Sequence, residues 1–226
     1  MFASISARYD LLNHLLSCNA DKRWRKRVAR ELRGSLPGGA SVLDVACGTG
    51  DLAITLFESI DARVVGADFC RPMLEIAARK ASTLAAPIPF IEGDALKLPF
   101  REGAFAGVTI AFGLRNLASA EAGLAELLRV LRTGGTAAVL EFSKPVVPGF
   151  RIAFDFYFTK VLPLLGGVVS GSKSAYQYLP DSVSTFPDQQ GLASLMTQVG
   201  FEQVRYLNLS GGIAALHLGR KPQRLT

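Results

Sequence analysis

Residues 42–54 read VLDVACGTGDLAI, an apolar run that passes through two glycines into a stretch of helical period. A strand, a tight turn and a helix in this order are typical of sheets that bind a nucleotide over the turn. Gly48, Gly50 and Ala53 fit the dinucleotide pattern G-x-G-x-x-G/A, and Asp68 follows at the distance of about 20 residues that this pattern expects. The same residues could also bind S-adenosylmethionine, so the pattern leaves two ligands open.

Outward from this stretch, short apolar runs alternate with stretches of helical period as far as residue 143. We predict strands at 41–47, 63–69, 88–94, 106–112 and 136–143, and helices at 50–60, 71–84 and 119–132. Strands that are apolar throughout and alternate with helices indicate a mostly parallel sheet covered on both faces. The sequence therefore predicts an α/β, Rossmann-like fold.

The two flanks of this region predict further elements. Residues 5–34 are expected to form two helices, with Asp21 as the N-cap of the second. Residues 188–201 have the period of a helix. Gly211-Gly212 separates two apolar runs, which predicts a two-residue hairpin and an antiparallel end to the sheet.

No repeat or linker divides the chain, so we expect a single domain over residues 1–226. Within it, residues 1–34 are expected to pack over the site. Residues 145–187 are rich in aromatic side chains and are expected to form an insertion on the substrate side.

Composition limits the functional classes. The 226 residues carry a net charge of +6, with a pI of about 9.4, and residues 21–34 hold seven Lys or Arg against two acids. Such a basic segment is typical of a solvated helix face or of a surface that binds an anion. The three cysteines have no metal-ligand or disulfide spacing, and no signal peptide or spanning segment is recognisable. We expect a cytoplasmic protein without a metal.

Four aspartates bear on the choice of ligand. Asp44 and Asp51 flank the glycine turn, where a dinucleotide would place its pyrophosphate against helix N–H groups. Two carboxylates would repel a pyrophosphate, whereas they would attract the ammonium and sulfonium of S-adenosylmethionine. Asp68 can accept both ribose hydroxyls, and Asp94 with the Ala95 N–H can contact the adenine edge. The alternative is that Asp51 and Asp94 only cap helices or form turns.

Further motifs are more specific than the glycine turn. They are GADFCRPML (66–74), GDALKLPF (93–100), FGLRN (112–116), LRTGGTAAVLEFSKP (131–145), YQYLPDSVSTFPDQ (176–189) and GFEQVRYLNLSGGIAALHLG (200–219). Together with VLDVACGTGDL they make the chain resemble the ubiquinone/menaquinone biosynthesis C-methyltransferase family. The resemblance extends from RYDLLNHLLS (8–17) to the last predicted strand.

The resemblance implies a seven-stranded sheet with an antiparallel last strand, and methyl transfer from S-adenosylmethionine to a ring carbon of a prenylated quinol. The family's cofactor-binding positions correspond to Thr49, Asp68 and the Asp94-Ala95 pair. With Asp44, Gly48 and Gly50 at the glycine turn, these are the expected cofactor-binding residues. Ala111 stands where many members have serine, so a hydroxyl contact is absent at this position. Demethylmenaquinol, in menaquinone biosynthesis, is the expected substrate. A polyprenyl benzoquinol of ubiquinone biosynthesis is the alternative.

Three other functions stay open at this point, and the first is a class I methyltransferase that acts on another small phenolic or lipid substrate. The chain could be a non-catalytic, cofactor-binding subunit of a quinone-synthesis complex, although its complete FGLRN motif argues against this. It could also be a nicotinamide-dependent dehydrogenase, which titration with the two ligands would reveal.

The predicted catalytic residues are Arg115, Asn116 and Tyr9. Methylation of a quinol carbon needs an ionised phenol beside that carbon, and the phenol pKa is near 10. We expect Arg115 to stabilise the developing phenolate, Asn116 to orient the hydroxyl and Tyr9 to close over the site. An ion pair of Arg115 with Asp94 or Glu141 is the structural alternative.

A prenylated substrate implies contact with the membrane surface. The basic segment 22–33 with Trp24 is the candidate, and its test residues are Lys22, Arg23, Arg25 and Lys26. We expect a peripheral association with the cytoplasmic membrane and no nucleic-acid partner, and we leave a homodimer open. His217 lies in an apolar strand and is expected to be a core histidine.

Overall fold

The computed structural model describes residues 19–147, 182, 183 and 185–223. Within these residues the strands are β1 (Ala40–Val45), β2 (Ala62–Asp68), β3 (Phe90–Glu92), β4 (Phe105–Ala111), β5 (Leu131–Phe142), β6 (Glu202–Leu209) and β7 (Ala214–Arg220). The α-helices are α1 (Ala20–Arg33), α2 (Asp51–Ser59), α3 (Arg71–Thr83), α4 (Ala120–Val130) and α5 (Gln189–Val199). Two 3-10 turns lie at Leu114–Asn116 and Ser210–Gly212.

The strands form one seven-stranded sheet in the order β3-β2-β1-β4-β5-β7-β6. The pairs from β3 to β5 are parallel, and β7 is antiparallel to both of its neighbours. The order reverses beside β1, so the carboxyl ends of β1 and β4 lie at the switch point where such sheets bind ligands. The predicted α/β class and the antiparallel last strand are confirmed.

Both faces of the sheet are covered. Successive strand residues face opposite sides, so Val42 packs in the cluster with α1 and α2 while Leu43 packs in the cluster with α4 and α5. Both side chains are fully buried. A parallel sheet with two covered faces needs apolar residues at nearly every position, which explains why its strands have no polar alternation.

Two local predictions in the second half of the chain are wrong. The helix predicted at 119–132 ends at Val130, because Leu131 already pairs with Phe105 as the first residue of β5. Leu131 belongs to the same buried cluster as the apolar side of α4, so in the sequence it continues the apolar pattern of that helix. The predicted two-residue hairpin at Gly211-Gly212 is instead a longer connection that contains a 3-10 turn.

The prediction that Asp21 caps α1 is also wrong. The N-cap position is Asn19, whose φ is 59°, and it makes no side-chain capping bond. Asp21 lies in the first turn, where its carboxylate is buried and pairs with Arg25 at 2.8 Å. The residue types at a helix start fit both positions, and Asp21 pairs within the helix with Arg25, four residues later, instead of capping it.

Several predictions fall outside the described residues. These are the first helix of the 5–34 segment, Tyr9, and nearly all of the 145–187 insertion. Along the described ranges, no helix combines the length and the apolar character that crossing a membrane requires.

Candidate active site

The glycine turn joins the end of β1 to α2. Gly48 and Gly50 have φ values of 55° and 83°, and Gly50 N–H closes the turn on the Cys47 carbonyl at 2.9 Å. A Cβ on Gly50 would lie 2.9 Å from the Ala77 Cβ and 3.1 Å from the Phe90 ring, whereas a Cβ on Gly48 would meet no atom within 4 Å. Gly50 therefore allows α2 to pack on its neighbours, and Gly48 leaves space above the turn.

A cleft of about 710 Å³, including its open mouth, lies on one side of this turn. It is lined by Ala46, Gly48, Asp68, Phe69, Cys70, Met73, Gly93, Asp94, Ala95, Ala111, Phe112, Gly113, Asn116 and Leu117. These residues come from the carboxyl ends of β1, β2, β3 and β4 and the segments that follow, as expected for a doubly wound sheet.

A second cavity, of about 420 Å³ with its open mouth included, lies on the other side of the turn. It shares Ala46, Gly48, Ala111 and Phe112 with the first cleft. The two cavities are thus compartments of one site, and we call them the first and the second compartment. The second compartment is further lined by Arg25, Asp44, Cys47, Thr49, Asp51 and Leu52.

Asp68 is the last residue of β2 and lines the first compartment. One carboxylate oxygen accepts the Gly48 N–H and the other accepts the Cys70 N–H, both at 2.8 Å. Burial raises the pKa of Asp68 above its usual value, and these N–H groups oppose the shift. Each oxygen has a second lone pair, so the carboxylate can accept two vicinal hydroxyls.

Asp44 lies beneath the turn and is 1% exposed. Its Oδ1 accepts the Thr109 hydroxyl at 2.7 Å, while no described residue donates a hydrogen bond to its Oδ2. Burial raises the pKa of Asp44 to about 7, although the Thr109 hydroxyl, the Arg25 charge and the Ala53 backbone N–H lower it. A carboxylate in this state would gain from a cation in the second compartment and would repel a phosphate there.

Asp51 is in the first turn of α2 and is paired with two cations. Lys80 Nζ lies 2.7 Å from its Oδ1, and Arg25 Nη1 lies 3.2 Å from its Oδ2. Lys80 also donates to the Thr49 hydroxyl at 3.1 Å. The expectation that Asp51 presents an unbalanced negative charge to the ligand is therefore wrong, because α1 and α3 neutralise it. Of the two carboxylates beside the turn, Asp44 alone still argues against a pyrophosphate.

Asp94 and Ala95 follow β3 and line the first compartment. Asp94 is exposed, and its Oδ1 accepts the Leu96 N–H at 2.9 Å, which makes it a turn residue as well as a lining residue. The exposed ring of Phe69, 64% accessible, lines the same compartment. An acceptor and an aromatic face at one end of the cleft are groups that suit a planar base.

Arg115 and Asn116 lie in the 3-10 turn after β4, but they face different surroundings. Asn116 lines the first compartment, and its amide donates to the Phe112 carbonyl at 3.2 Å. Arg115 is nearly buried and pairs with Glu141 of β5 at 2.8 Å, while the same nitrogen donates to the Phe112 carbonyl at 2.6 Å. The alternative of an Arg115–Glu141 ion pair is thus observed, and Arg115 holds the turn that carries Asn116.

Several site residues were not found from the sequence. Ala46 and Phe112 have φ values of 51° and 56°, which non-glycine residues rarely adopt, and both line both compartments. Strain of this kind is common at functional sites, but it depends on the folded backbone. Lys80 gives no signal in the sequence. Arg25 stands four residues after Asp21, and this spacing could have indicated the pair.

Trp24 was expected at the membrane surface, and this is wrong. Its ring is buried against Phe112 and Phe142, with centroids at 6.0 and 6.2 Å, and its Nε1 donates to the Ser210 hydroxyl at 3.0 Å. Arg25 is also buried, so it is unsuitable as a test residue for membrane contact. The stripe that carries Trp24 packs α1 onto the sheet.

His217 is a core histidine, as expected. It is buried, its Nε2 lies 2.8 Å from the Gln189 carbonyl oxygen, and burial lowers its pKa. In the part of the chain that the structure describes, no three His, Cys, Asp or Glu side chains are grouped as a metal would require.

Comparison with known proteins adds a family to this geometry. A family model described as the ubiE/COQ5 methyltransferase family matches residues 1–221. A demethylmenaquinone methyltransferase of Thermus thermophilus is 51% identical over 223 residues, which are 98% of this chain and 100% of the relative. A protein of Citrifermentans bemidjiense named ubiquinone/menaquinone biosynthesis C-methyltransferase UbiE is 45% identical over 98% of this chain and 94% of its own.

A solved structure supports the fold independently. The chain resembles an S-adenosylmethionine-dependent methyltransferase from Aquifex aeolicus with a TM-score of 0.63, over 87% of this chain and 89% of that one. The two sequences are 17% identical, so this likeness bears on the fold alone.

Proposed function

The chain belongs to the ubiE/COQ5 methyltransferase family, and from this we propose that it methylates a ring carbon of a prenylated quinol, with S-adenosylmethionine as the methyl donor. The observation that carries the proposal is the pair of compartments on either side of the glycine turn. One offers the two Asp68 oxygens beside Phe69 and Asp94, and the other offers the buried Asp44 oxygen that accepts no hydrogen bond from the described residues. A nucleoside would suit the first, and the cationic end of the donor would suit the second.

We favour this donor over a dinucleotide for an electrostatic reason. A pyrophosphate over the turn would lie close to the buried Asp44. An ionised Asp44 would repel the pyrophosphate, or the pyrophosphate charge would keep the Asp44 carboxyl protonated. The donor has an ammonium and a sulfonium instead, and both are attracted by the ionised carboxylate.

When bound, S-adenosylmethionine supplies a methyl group whose bond to sulfur breaks as the ring carbon attacks, and the ring carbon then loses its proton. The chain must hold the quinol ring and favour its phenolate. Asn116 lines the first compartment near Ala111 and Phe112, where both compartments meet, so its amide can donate to the quinol oxygen. Holding the ring in line with the donor removes much of the entropic barrier.

Arg115 has a different proposed role from the one expected at first. Its pairing with Glu141 and the Phe112 carbonyl makes it a positioning residue for Asn116 and for the strained Phe112. Its positive charge is largely balanced by Glu141, which limits its direct effect on a phenolate. A part for Tyr9 in closing the site stays a prediction.

We propose demethylmenaquinol as the substrate because the Thermus thermophilus relative has the corresponding name and is similar over the full chain. The Citrifermentans relative is named for both quinone pathways, so a polyprenyl benzoquinol is the second candidate. A prenylated acceptor also implies work at a membrane surface, and the exposed cations of α1 are the residues proposed to contact it.

The direct test is a methylation assay with a labelled donor. The purified protein would be given reduced demethylmenaquinone, a reduced demethylated benzoquinone with the same prenyl chain, or no acceptor. We expect one added methyl group by mass on the naphthoquinol, and a smaller yield on the benzoquinol. Asn116→Ala should reduce the rate constant while the donor still binds.

Two outcomes would contradict the proposal. Label that enters neither quinol, although the donor binds, would favour a different acceptor or a non-catalytic subunit. Binding of NAD without binding of the methyl donor, seen by calorimetric titration, would overturn the choice of ligand.

A further inference from the structure

We propose that Arg25 of α1 binds the carboxylate of the donor's amino-acid end, so that a helix preceding the sheet forms part of the cofactor site. This rests on the proposed function, since it assigns the second compartment to one part of that donor. Arg25 and Asp44 both line this compartment, together with Thr49 and Gly48 of the turn.

The second compartment presents opposite charges to a single ligand. Asp44 has a buried oxygen that accepts no hydrogen bond from the described residues, and Arg25 has a guanidinium whose side chain is 10% exposed. An α-amino acid carries an ammonium and a carboxylate on one carbon. The ammonium can pair with Asp44 while the carboxylate pairs with Arg25, because both groups line the same cavity.

The order of groups along the site agrees with this assignment. Phe69 and Asp94 line only the first compartment, Gly48 lines both, and Arg25 lines only the second. A nucleoside with an amino acid attached through its ribose would therefore extend from Asp94 past the glycine turn toward Arg25.

Arg25 is held in place before a ligand binds. Both of its observed ion pairs, with Asp21 at 2.8 Å and with Asp51 at 3.2 Å, are made by Nη1. A guanidinium has five N–H donors in a planar fork, so these pairs leave other donors for a carboxylate. The two aspartates thus orient Arg25, and Lys80 shares the charge of Asp51.

The test uses two ligands that differ in the amino-acid end, whose carboxylate is assigned to Arg25 and whose ammonium is assigned to Asp44. S-adenosylhomocysteine has the amino-acid end, whereas 5′-methylthioadenosine has the same nucleoside and sulfur without it. Affinities of both would be measured by calorimetric titration for the wild type and for Arg25→Gln. Arg23→Gln, at an exposed position on the same helix, is the matched control.

We expect Arg25→Gln to weaken S-adenosylhomocysteine by about tenfold to a hundredfold, as for the loss of a charged hydrogen bond, and to leave 5′-methylthioadenosine within about twofold. Arg23→Gln should change neither. Arg25→Lys keeps the charge but loses the planar set of donors. It should weaken S-adenosylhomocysteine by an intermediate factor and leave the affinity for 5′-methylthioadenosine unchanged. Because Arg25→Gln removes an ion-pair partner of the buried Asp21, the double variant Asp21→Asn/Arg25→Gln would be used instead if the single variant unfolds.

An equal loss for both ligands would mean that Arg25 only supports the site, and no loss for either would mean that it has no part; both results overturn the inference alone. Failure of the wild type to bind either ligand would instead overturn the proposed function, and the inference with it.

Discussion

Gly48 and Gly50 lie two residues apart and both have positive φ, yet a side chain would meet different surroundings at each. The space above Gly48 is open toward the site, whereas Gly50 faces Ala77 and Phe90. A motif of two glycines therefore contains two separate requirements. One concerns the ligand and the other concerns the packing of α2.

We expect Gly48→Ala to lower the free energy of unfolding by about 1–2 kcal/mol, the cost of a left-handed alanine, and to weaken S-adenosylhomocysteine more than tenfold. Gly50→Ala should lower the free energy of unfolding by about 2–5 kcal/mol, since steric overlap adds to the same backbone cost. Denaturant unfolding and calorimetric titration would measure these effects.

Gly39→Ala is the matched control, because Gly39 has a φ of 69°, open space around it and a position before β1, away from the turn. It should lose stability as Gly48→Ala does and bind the ligand normally. Normal ligand binding by Gly48→Ala would show that the open space is not part of the site.

Asp44 makes stability depend on pH. The pKa of Asp44 is about 7 in the folded chain, whereas in the unfolded chain it has the usual aspartate value of 3.8. The native state thus binds the proton more tightly, and the free energy of unfolding falls as the pH rises from about 4 to about 7. We expect this fall, at most about 1.4 kcal/mol per pH unit, in the wild type relative to Asp44→Asn. Comparison with Asp44→Asn cancels the contributions of Asp68 and His217 to the pH dependence. Parallel curves of unfolding free energy against pH for the two proteins would contradict the prediction.

Donor binding should depend on pH in the opposite sense. The ammonium of the ligand favours ionised Asp44, whose fraction rises about eightfold between pH 6.0 and pH 7.5 for a pKa of about 7. S-adenosylhomocysteine should therefore bind up to about eightfold more tightly at the higher pH. The Asp44→Asn variant should bind weakly, with little dependence on pH, and an equally steep dependence there would assign the effect to another group.

At the scale of elements, the Arg115–Glu141 pair joins the 3-10 turn after β4 to β5. Glu141 is 1% exposed and also accepts the Arg115 backbone N–H at 3.2 Å. The guanidinium lies 5.3 Å from the Phe142 ring centroid, in the aromatic cluster that includes Trp24 of α1. One buried pair thus orders a turn that lines the site and packs against Phe142, which in turn contacts Trp24 of α1.

We expect Arg115→Met to lower the free energy of unfolding by about 3–5 kcal/mol, because it leaves Glu141 buried without a cation. The double variant Arg115→Met/Glu141→Leu should recover most of this loss, since an apolar pair can replace a buried ion pair at little cost. Thermal unfolding would measure both.

Methylation by the double variant separates the two roles of Arg115. Activity that returns with stability would support a positioning role alone. A stable double variant with ordered structure and no activity would instead support direct contact between Arg115 and the quinol, as the sequence suggested.

At the scale of the whole molecule, α1 has two distinct faces. Its inner face packs on the sheet through Trp24, and Arg25 reaches the site. Its outer face is basic, and Arg23, Lys26, Arg27 and Arg30 line an open groove with Leu209 and Ser210. An anionic bilayer would attract this outer face by about 1 kcal/mol for each cation near the surface.

We expect a variant with Glu at Lys22, Arg23, Lys26 and Arg30 to lose binding to vesicles that contain phosphatidylserine, as measured by flotation. Its unfolding temperature should change little, because all four side chains are exposed. The matched control places Glu at four exposed arginines on other parts of the chain, Arg63, Arg79, Arg101 and Arg132, and has the same net charge. Equal loss of vesicle binding in both variants would mean that net charge, and not the outer face of α1, determines the binding.

Some structural features could be predicted because they depend on local pattern. The sheet was identified from the near-continuous apolar runs of β1, β2 and β4. The turn was identified from the glycines between β1 and α2. Asp68 and Asp94 were identified because strand ends and glycine turns have recognisable sequences. The start of β5 was missed, because the apolar period of α4 continues into Leu131.

The sequence alone determined the α/β class, the glycine turn, the aspartates at the strand ends and the resemblance to a methyltransferase family. These features depend on residue type and on spacing along the chain. Only the tertiary structure decided that Arg25 and Lys80 neutralise Asp51, that Glu141 pairs with Arg115, and that Trp24 is buried. The physical reason is that a charge acts through its distance and its exclusion from water, and both depend on residues that are distant in the sequence.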